Sequence, residues 1–324
     1  MNMNTQTTAA ISQEMKTFYD LALIDEASAN LVHDQFGQKR PIPTHGGKTI
    51  EFRKFAPLAK ATTPLTEGVT PDGKSLEVST VTATVSQYGD YITQSDVLEL
   101  TAIDNTIVEA TKLLGRQAGI TLDTVVRNAI QAGTNVTYCP SLSDPDTEIT
   151  SRAQLKADSQ LTVDIVQQVA AKLRAQNAPT IDGKYIAIIH PYVAYDLMRD
   201  PEWVDAYKYA TPDNLYAGEI GEIAGVRFVQ STEAKVYAGE GCPDGLAVFG
   251  SLFFGDGAYG VTEVTGGGLQ TIVKQAGSGG TADPLDQRSS IGWKAHKCAE
   301  LLVENYLVRV ESCSKRFSAT AKEN

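Results

Sequence analysis

Apolar residues recur at steps of three or four from Ile103 to Ala129. This spacing places them on one face of a helix and predicts a single long helix over residues 102–132. Gly115 and Gly119 lie inside the pattern. Since a glycine within a helix costs about 1 kcal/mol relative to alanine, these two glycines predict a bend or a close crossing by another segment.

Shorter patterns indicate a mixed α+β body. Thr101 and Asp104 fit a capping box that would begin the long helix, and a second helix is predicted from Val163 to Gln176. Tyr185–Ile189 is apolar throughout, as is typical of a strand covered on both faces, and His190-Pro191 predicts the start of a short helix. Further strand patterns occur at residues 226–229, 246–249, 261–264 and 271–273, with two more between 291 and 310.

Residues 46–93 have an unusual pattern. Thr49–Arg53 and Val78–Tyr88 alternate between apolar and polar positions, as strands do, but a long polar segment with three prolines separates them. Ordinary hairpin connections have about 2–5 residues, and a two-stranded ribbon alone is marginally stable in water. We therefore predict an extended hairpin arm that is stabilised by lying on another surface, most simply a neighbouring copy of the chain.

Composition and charge exclude several classes of protein. Hydrophobic residues make up 42% and charged residues 21% of the 324 residues, values that exclude a disordered or fibrous chain. The 39 acidic and 28 basic residues give a net charge of −11, so tight binding to nucleic acid is not expected. No apolar stretch approaches the ~20 residues of a membrane span, and the first residues lack a signal-peptide pattern. We expect the protein to be made and folded in the cytosol.

Motifs that would carry chemistry are incomplete. His45–Thr49 resembles the end of a phosphate-binding loop, and Gly255–Gly260 matches G-x-G-x-x-G, but a strand pattern follows each where the motif needs a helix. Asp144–Glu148 hints at a calcium loop, yet Ile149 replaces its glycine. The four histidines are scattered. We therefore predict no catalytic residue, no cofactor and no metal ligand.

Four cysteines stand at wide and unmatched spacings in the chain. They are Cys139, Cys242, Cys298 and Cys313. Without a C-x-x-C pair or a matching histidine pattern, they do not indicate a zinc site or a disulfide framework. We expect them to be free thiols buried in the core.

Several short blocks spread over residues 18–312 are together specific, although each alone is weak. The blocks are His33–Arg40, Gly47–Arg53, Thr63–Pro71, Gln87–Tyr91, Ala187–Pro191, Gly221–Arg227, Asp283–Arg288 and Gly292–Lys294. In this combination the chain resembles the major capsid (coat) proteins of tailed double-stranded-DNA bacteriophages.

This resemblance implies the α+β fold of tailed-phage major capsid proteins, and the segments predicted above follow its parts in order. The implied parts are an N-terminal arm at 1–45, an extended β-hairpin loop at 46–93, a peripheral domain at 94–161 with a spine helix at 102–132, an axial domain at 162–252, a return through the peripheral domain at 253–297, and the final strand of the axial domain with the C-terminal tail at 298–324.

The resemblance also implies a structural function and its partners. Copies of the chain would form the hexamers and pentamers of an icosahedral shell that encloses the double-stranded DNA genome without sequence-specific binding. Because the first family-like block begins near residue 18, a separate scaffolding protein is expected, beside a portal protein and optionally a decoration protein. The protein would lie in the virion capsid after assembly in the host bacterial cytoplasm. It would not be an enzyme or contact a membrane.

Mixed charges on the hairpin arm are the candidate interface residues. They are Lys54, Lys60, Glu67, Asp72 and Lys74. Charges at such a contact set register and reject wrong partners more than they add affinity.

Two alternatives stay open at this point. Shells of prokaryotic encapsulating nanocompartments resemble the same fold, and such a shell would enclose an enzyme rather than a genome. A soluble α+β enzyme with a site formed from dispersed residues is the other alternative. It predicts a monomer or small oligomer, with a pocket of titratable groups whose pKa values are shifted.

Overall fold

The computed structural model describes most of the chain outside the N-terminus and several loops. The described residues are 23–24, 26–27, 30–41, 48–55, 58, 60–65, 67–68, 70, 73–76, 78–101, 106–208, 221–263, 269–274, 283–285 and 287–324. The helices are α1 (Asp96–Thr101), α2 (Thr106–Gln131), α3 (Val163–Ala175), α4 (Pro191–Leu197) and α5 (Pro201–Lys208). The strands are β1 (Gln38–Pro41), β2 (Thr49–Phe55), β3 (Val78–Thr84), β4 (Ser86–Ser95), β5 (Val136–Tyr138), β6 (Tyr185–Ile189), β7 (Glu222–Ile223), β8 (Val226–Gln230), β9 (Val236–Tyr237), β10 (Val248–Phe254), β11 (Tyr259–Glu263), β12 (Gln270–Lys274), β13 (Arg288–Lys297), β14 (Ala299–Leu301) and β15 (Leu307–Ser312).

The largest sheet has the strand order β5-β15-β10-β6-β8-β7, and β9 pairs with the start of β10. Its central strand β6 is buried along its whole length, as predicted. Because successive side chains point to opposite faces, Ala187 and Ile189 contribute to one core with α3 and α4. Ile186 and Ile188 contribute to a second core with the end of α2. Both cores thus depend on the same five-residue strand.

Helix α2 is the predicted long helix, and it packs on two sheets. Its earlier turns place Leu114, Ala118 and Leu122 against the antiparallel sheet β12-β13-β4, where Trp293 supplies the largest buried side chain. Its last turns place Val126 and Ile130 against the large sheet. The helix therefore contributes to the second core and to a third cluster on the sheet β12-β13-β4.

The glycines inside α2 are explained by a close crossing. Residues 23, 24, 26 and 27 are helical and lie across α2. A Cβ added at Gly115 would be 2.9 Å from the carbonyl oxygen of Leu23, and one at Gly119 would be 2.5 Å from that of Ala27. Contacts this short leave no room for a side chain, so the alternative of a close crossing is confirmed.

Several sequence predictions need correction. Thr101 does not begin the long helix: it is the last residue of α1, and its hydroxyl donates to the Val97 carbonyl. Asp104, its predicted partner, lies outside the described residues. The predicted strand at Val78–Tyr88 is two strands, β3 and β4, which are separated at Val85. Cys242 is only half-buried, whereas the other three cysteines are buried free thiols as expected.

The predicted polar tail packs against the body. After β15, the amide of Cys313 donates to the Ser159 carbonyl, and Phe317 stacks on Tyr192 with ring centroids 4.2 Å apart. Asn324 then reaches β9, where the Val236 amide donates to its side-chain oxygen. Among the described residues, the helices are too short or too polar to cross a membrane.

Candidate subunit interface

The base of the predicted hairpin is fixed to the body. Strands β2 and β3 pair in register from Thr49↔Thr84 to Phe55↔Val78, which confirms two strands joined by a long connection. Alternation along the ribbon directs Ile50, Phe52 and Ala83 into a buried cluster with Cys298, while Thr80, Thr82 and Thr84 are exposed. One face of the ribbon base therefore lies on the β11–β14 region of the same chain.

Gly260 in β11 leaves room for the ring of Phe52. A Cβ added at Gly260 would lie 2.8 Å from both Cδ1 and Cζ of the Phe52 ring and nearer still to Cε1. The phenyl ring is 1% exposed. Gly260 is the last glycine of the G-x-G-x-x-G match, and it lies in strand β11, so its role here is to admit an aromatic ring.

Beyond this base the connecting segment exposes large apolar side chains. Leu58, Leu65 and Leu76 are 59%, 77% and 66% exposed. Single exposed leucines are ordinary on protein surfaces, but exposed apolar surface concentrated in one segment favours an interaction site. Burying one leucine fully is worth about 1.5–3 kcal/mol. We call residues 58–76 the hairpin tip, and it is the first candidate contact surface.

Three of the five charged candidates lie on this tip with described side chains. Lys60, Glu67 and Lys74 are exposed. Lys54 belongs to β2, where it pairs with Ser79, but its side chain lies outside the described residues, as does the whole of Asp72. The structure therefore places three of these side chains on the surface of the tip.

The structure shows a second candidate contact surface that the sequence did not predict. The face of the sheet β12-β13-β4 that points away from α2 carries an open groove of about 590 Å³. Gly89 and Gly292 line this groove, and both are packed so closely by the neighbouring strand that a Cβ would lie less than 3 Å from its atoms. Tyr91 at its edge is 69% exposed. In β4, Tyr88 and Ile92 face α2, whereas Tyr91 points to the opposite face of the sheet. This alternation is the sequence signal from which the exposed tyrosine could have been found.

Two titratable residues at α4, His190 and Asp196, have shifted pKa values. Burial lowers the pKa of His190 to about 4, and its Nδ1 accepts a hydrogen bond from the Tyr192 amide, 3.2 Å away, at the start of α4. The predicted short helix is thereby confirmed, and the structure adds that His190 caps it. Burial also raises the pKa of Asp196, which lines an open pocket of about 340 Å³.

Asp200, which also lines this pocket, is hydrogen-bonded to backbone amides. Asp200 accepts hydrogen bonds from the amides of Val163 and Glu202, and so it caps α3 and α5. Within the described residues, His, Cys, Asp and Glu side chains form no group of three that could hold a metal ion.

Comparison with known proteins identifies the family. A family model described as "Phage capsid protein" matches residues 77–299, well over half of the chain. The chain belongs to this phage capsid protein family. No curated protein matches it.

Solved phage capsids share its fold at low sequence identity. The capsid protein of cyanophage P-SCSP1u has a TM-score of 0.63 and 14% identity, with 86% of this chain and 87% of that chain covered. The capsid of Ralstonia phage GP4 has a TM-score of 0.63 and 12% identity, with 88% and 87% covered. A virus-like particle from Pyrococcus furiosus gives 0.51 and 10%, with 89% and 96% covered.

These findings confirm the resemblance to tailed-phage capsid proteins and the α+β fold. The protein is a structural component of a virion capsid, where copies of the chain associate into a shell. The family match and the phage capsids of similar fold favour a phage shell, so the nanocompartment is the weaker alternative.

Proposed function

We propose that this chain is the major capsid protein of a tailed double-stranded-DNA phage and that it builds the hexamers and pentamers of an icosahedral shell around the packaged genome. The observation that carries this proposal is the family match over residues 77–299. The hairpin tip supports it, because the other described residues leave Leu58, Leu65 and Leu76 exposed and available for a neighbouring copy.

The hairpin tip is proposed to lie across a neighbouring copy. Repetition then multiplies a modest contact over the whole shell. Lys54, Lys60, Glu67, Asp72 and Lys74 would set the register of this contact, since charges at an interface discriminate partners more than they add affinity.

The structure supports an assignment of its segments to the parts of the capsid fold. We propose residues 1–45 as the N-terminal arm, 46–93 as the hairpin loop, 94–161 as the peripheral domain, 162–252 as the axial domain, 253–297 as the return through the peripheral domain, and 298–324 as the final axial strand with the tail. Helix α2 is then the spine helix.

We also propose the partners of the shell and its place of assembly. A separate scaffolding protein, a portal protein and optionally a decoration protein are proposed to act with the shell, with assembly in the host bacterial cytoplasm. Catalysis is not part of this proposal.

Electron microscopy with analytical sedimentation tests the proposal. The full chain is purified alone and after co-expression with its candidate scaffolding protein. Rings of five or six subunits, tubes or closed shells are expected. A uniform monomer or dimer under both conditions would overturn the capsid function and return attention to the pocket around Asp196. Closed particles filled with a protein cargo, rather than DNA, would favour the nanocompartment.

A further inference from the structure

Two buried charged residues of α2 each bind a segment that is remote in sequence. Asp123 and Arg127 lie one helical turn apart and are 0% and 1% exposed, and residues at this spacing share a helix face. The first binds residues 30–41, which we call the arm anchor. The second binds residues 313–324, which we call the tail strap.

The arm anchor binds through His33. The backbone amide of His33 donates to Oδ1 of Asp123 over 2.7 Å, and its ring Nδ1 lies 2.6 Å from Oδ2. The imidazole is completely buried. The hydroxyl of Tyr259 donates to the His33 carbonyl over 2.5 Å. One residue of the arm anchor thus engages both oxygens of the carboxylate.

Asn324 ties the end of the tail strap to α2. Arg127 donates from Nη1 to the Glu233 carbonyl over 2.7 Å and from Nη2 to the main-chain oxygen of Asn324 over 3.3 Å. The side-chain amide of Asn324 donates to the Ala234 carbonyl over 3.0 Å and accepts from the Val236 amide over 2.9 Å. The strap, residues 233–236 and the helix are joined at this point.

Electrostatics connects the two contacts. Burial lowers the pKa of the Arg127 guanidinium, and the carboxylates of Glu233 and Asp123 act in the opposite direction. A buried positive charge is tolerated only where such partners offset its desolvation. Release of the arm anchor would expose Asp123 to water, which would screen its field at Arg127. The Arg127 guanidinium would then favour a hydrated position, and its bond to Asn324 would weaken.

We propose that α2 couples the arm anchor to the tail strap, so that release of either segment loosens the other. This inference rests on the fold and does not depend on the proposed shell. In an assembly it gives the arm a means of acting on the axial side of the molecule. A neighbouring copy that draws the arm anchor away would loosen the strap, without contact between the two segments.

Hydrogen exchange on the full chain, followed by mass spectrometry of its peptides, tests the coupling. His33→Phe keeps an aromatic ring but removes its N–H donor, and His33→Asn restores an N–H donor near the Nδ1 position. We expect residues 314–324 and 233–236 to exchange about tenfold faster in H33F, and H33N to remain closer to the unchanged protein. The exposed-loop variant Thr147→Ala is the control and should leave both segments unchanged.

The reciprocal variant makes the test decisive, since coupling between two sites must act equally in both directions. Asn324→Ala removes the side-chain bonds to residues 234 and 236 and should speed exchange in residues 30–37 by a factor similar to that in the first experiment. Faster exchange of the arm anchor in H33F with an unchanged strap would overturn the proposal. If H33F does not fold, Asp123→Asn decides, because it removes the charge with little change in size: an unchanged strap in that variant also overturns it.

Discussion

The ring of Phe52 in β2 occupies the space where any other residue at position 260 would carry its Cβ. The two residues are far apart in sequence, and their contact holds the base of the hairpin on β11. Phe52 is buried whereas Leu58, Leu65 and Leu76 are exposed, so the base of the hairpin is packed on the body while its connecting segment leaves apolar side chains on the surface.

Gly260→Ala tests this contact. The added methyl group overlaps the phenyl ring, so we expect a loss of about 1–3 kcal/mol in stability and faster proteolysis within residues 49–84. Thermal unfolding and limited proteolysis of the purified chain measure both effects. Gly73→Ala is the control, since a Cβ there meets nothing within 4 Å. An unfolding temperature for G260A equal to that of the unchanged protein would contradict the assigned contact.

Gly119→Ala tests the close crossing on α2. Alanine favours the helix by about 1 kcal/mol, but its methyl group would meet the Ala27 carbonyl at 2.5 Å. We expect the clash to dominate, so that the variant is less stable and residues 23–27 are cleaved more readily by protease. Leu113→Ala, at an exposed position of the same helix, should have little effect. A G119A protein more stable than the original would show that the crossing yields easily.

The exposed leucines of the hairpin tip are expected to drive assembly. Replacing Leu58, Leu65 and Leu76 with serine should leave the thermal unfolding of the subunit unchanged, because these side chains are exposed within it. Sedimentation and electron microscopy should show loss of closed shells.

A matched variant separates apolar contact from general damage to this segment. Thr62→Ser, Thr63→Ser and Thr70→Ser change the same number of exposed residues and should preserve assembly. Normal shells from the leucine variant would remove the hairpin tip from the interface.

His190 predicts a dependence of stability on pH. Its pKa is about 4 in the folded protein and about 6.5 when unfolded, so the unfolded chain binds the extra proton first. The stability from neutral His190 is complete above about pH 6.5 and is lost as the pH falls towards 4, by at most about 3 kcal/mol and by less where solvent reaches the half-buried ring. His190→Asn keeps a good capping residue and should flatten the profile measured by denaturant unfolding between pH 4 and 7. A profile equally steep in this variant would assign the effect to other groups.

The sequence predicted the elements whose patterns are local. Each of these patterns shows which face of its element is buried: the alternation in β2 and β3, the apolar run of β6 and the periodicity of α2. The elements could therefore be predicted without knowledge of the fold. Gly115 and Gly119 also carried their signal, although only the structure shows that residues 23–27 are what crosses them.

What escaped prediction depends on contacts between distant segments. Gly260 matched a nucleotide-binding pattern, and only the position of Phe52 explains it. Thr101 fitted a capping box, but the hydroxyl bonds backward to Val97 within α1. The buried charges Asp123 and Arg127 interrupt no apolar stripe and gave no sign of their partners, because His33 and Asn324 lie at opposite ends of the chain.

Strand β6 has a consequence for the newly made chain. Tyr185–Ile189 is apolar on both faces and uncharged, and short segments of this kind pair with identical copies when they are exposed. A protein needed in many copies reaches high local concentrations before it is fully folded. Lys184 and Pro191 closely flank the run, and a charge or a proline next to such a segment limits stacking between chains. These flanking residues thus protect the subunit from the wrong kind of self-association while it is still able to enter the right one.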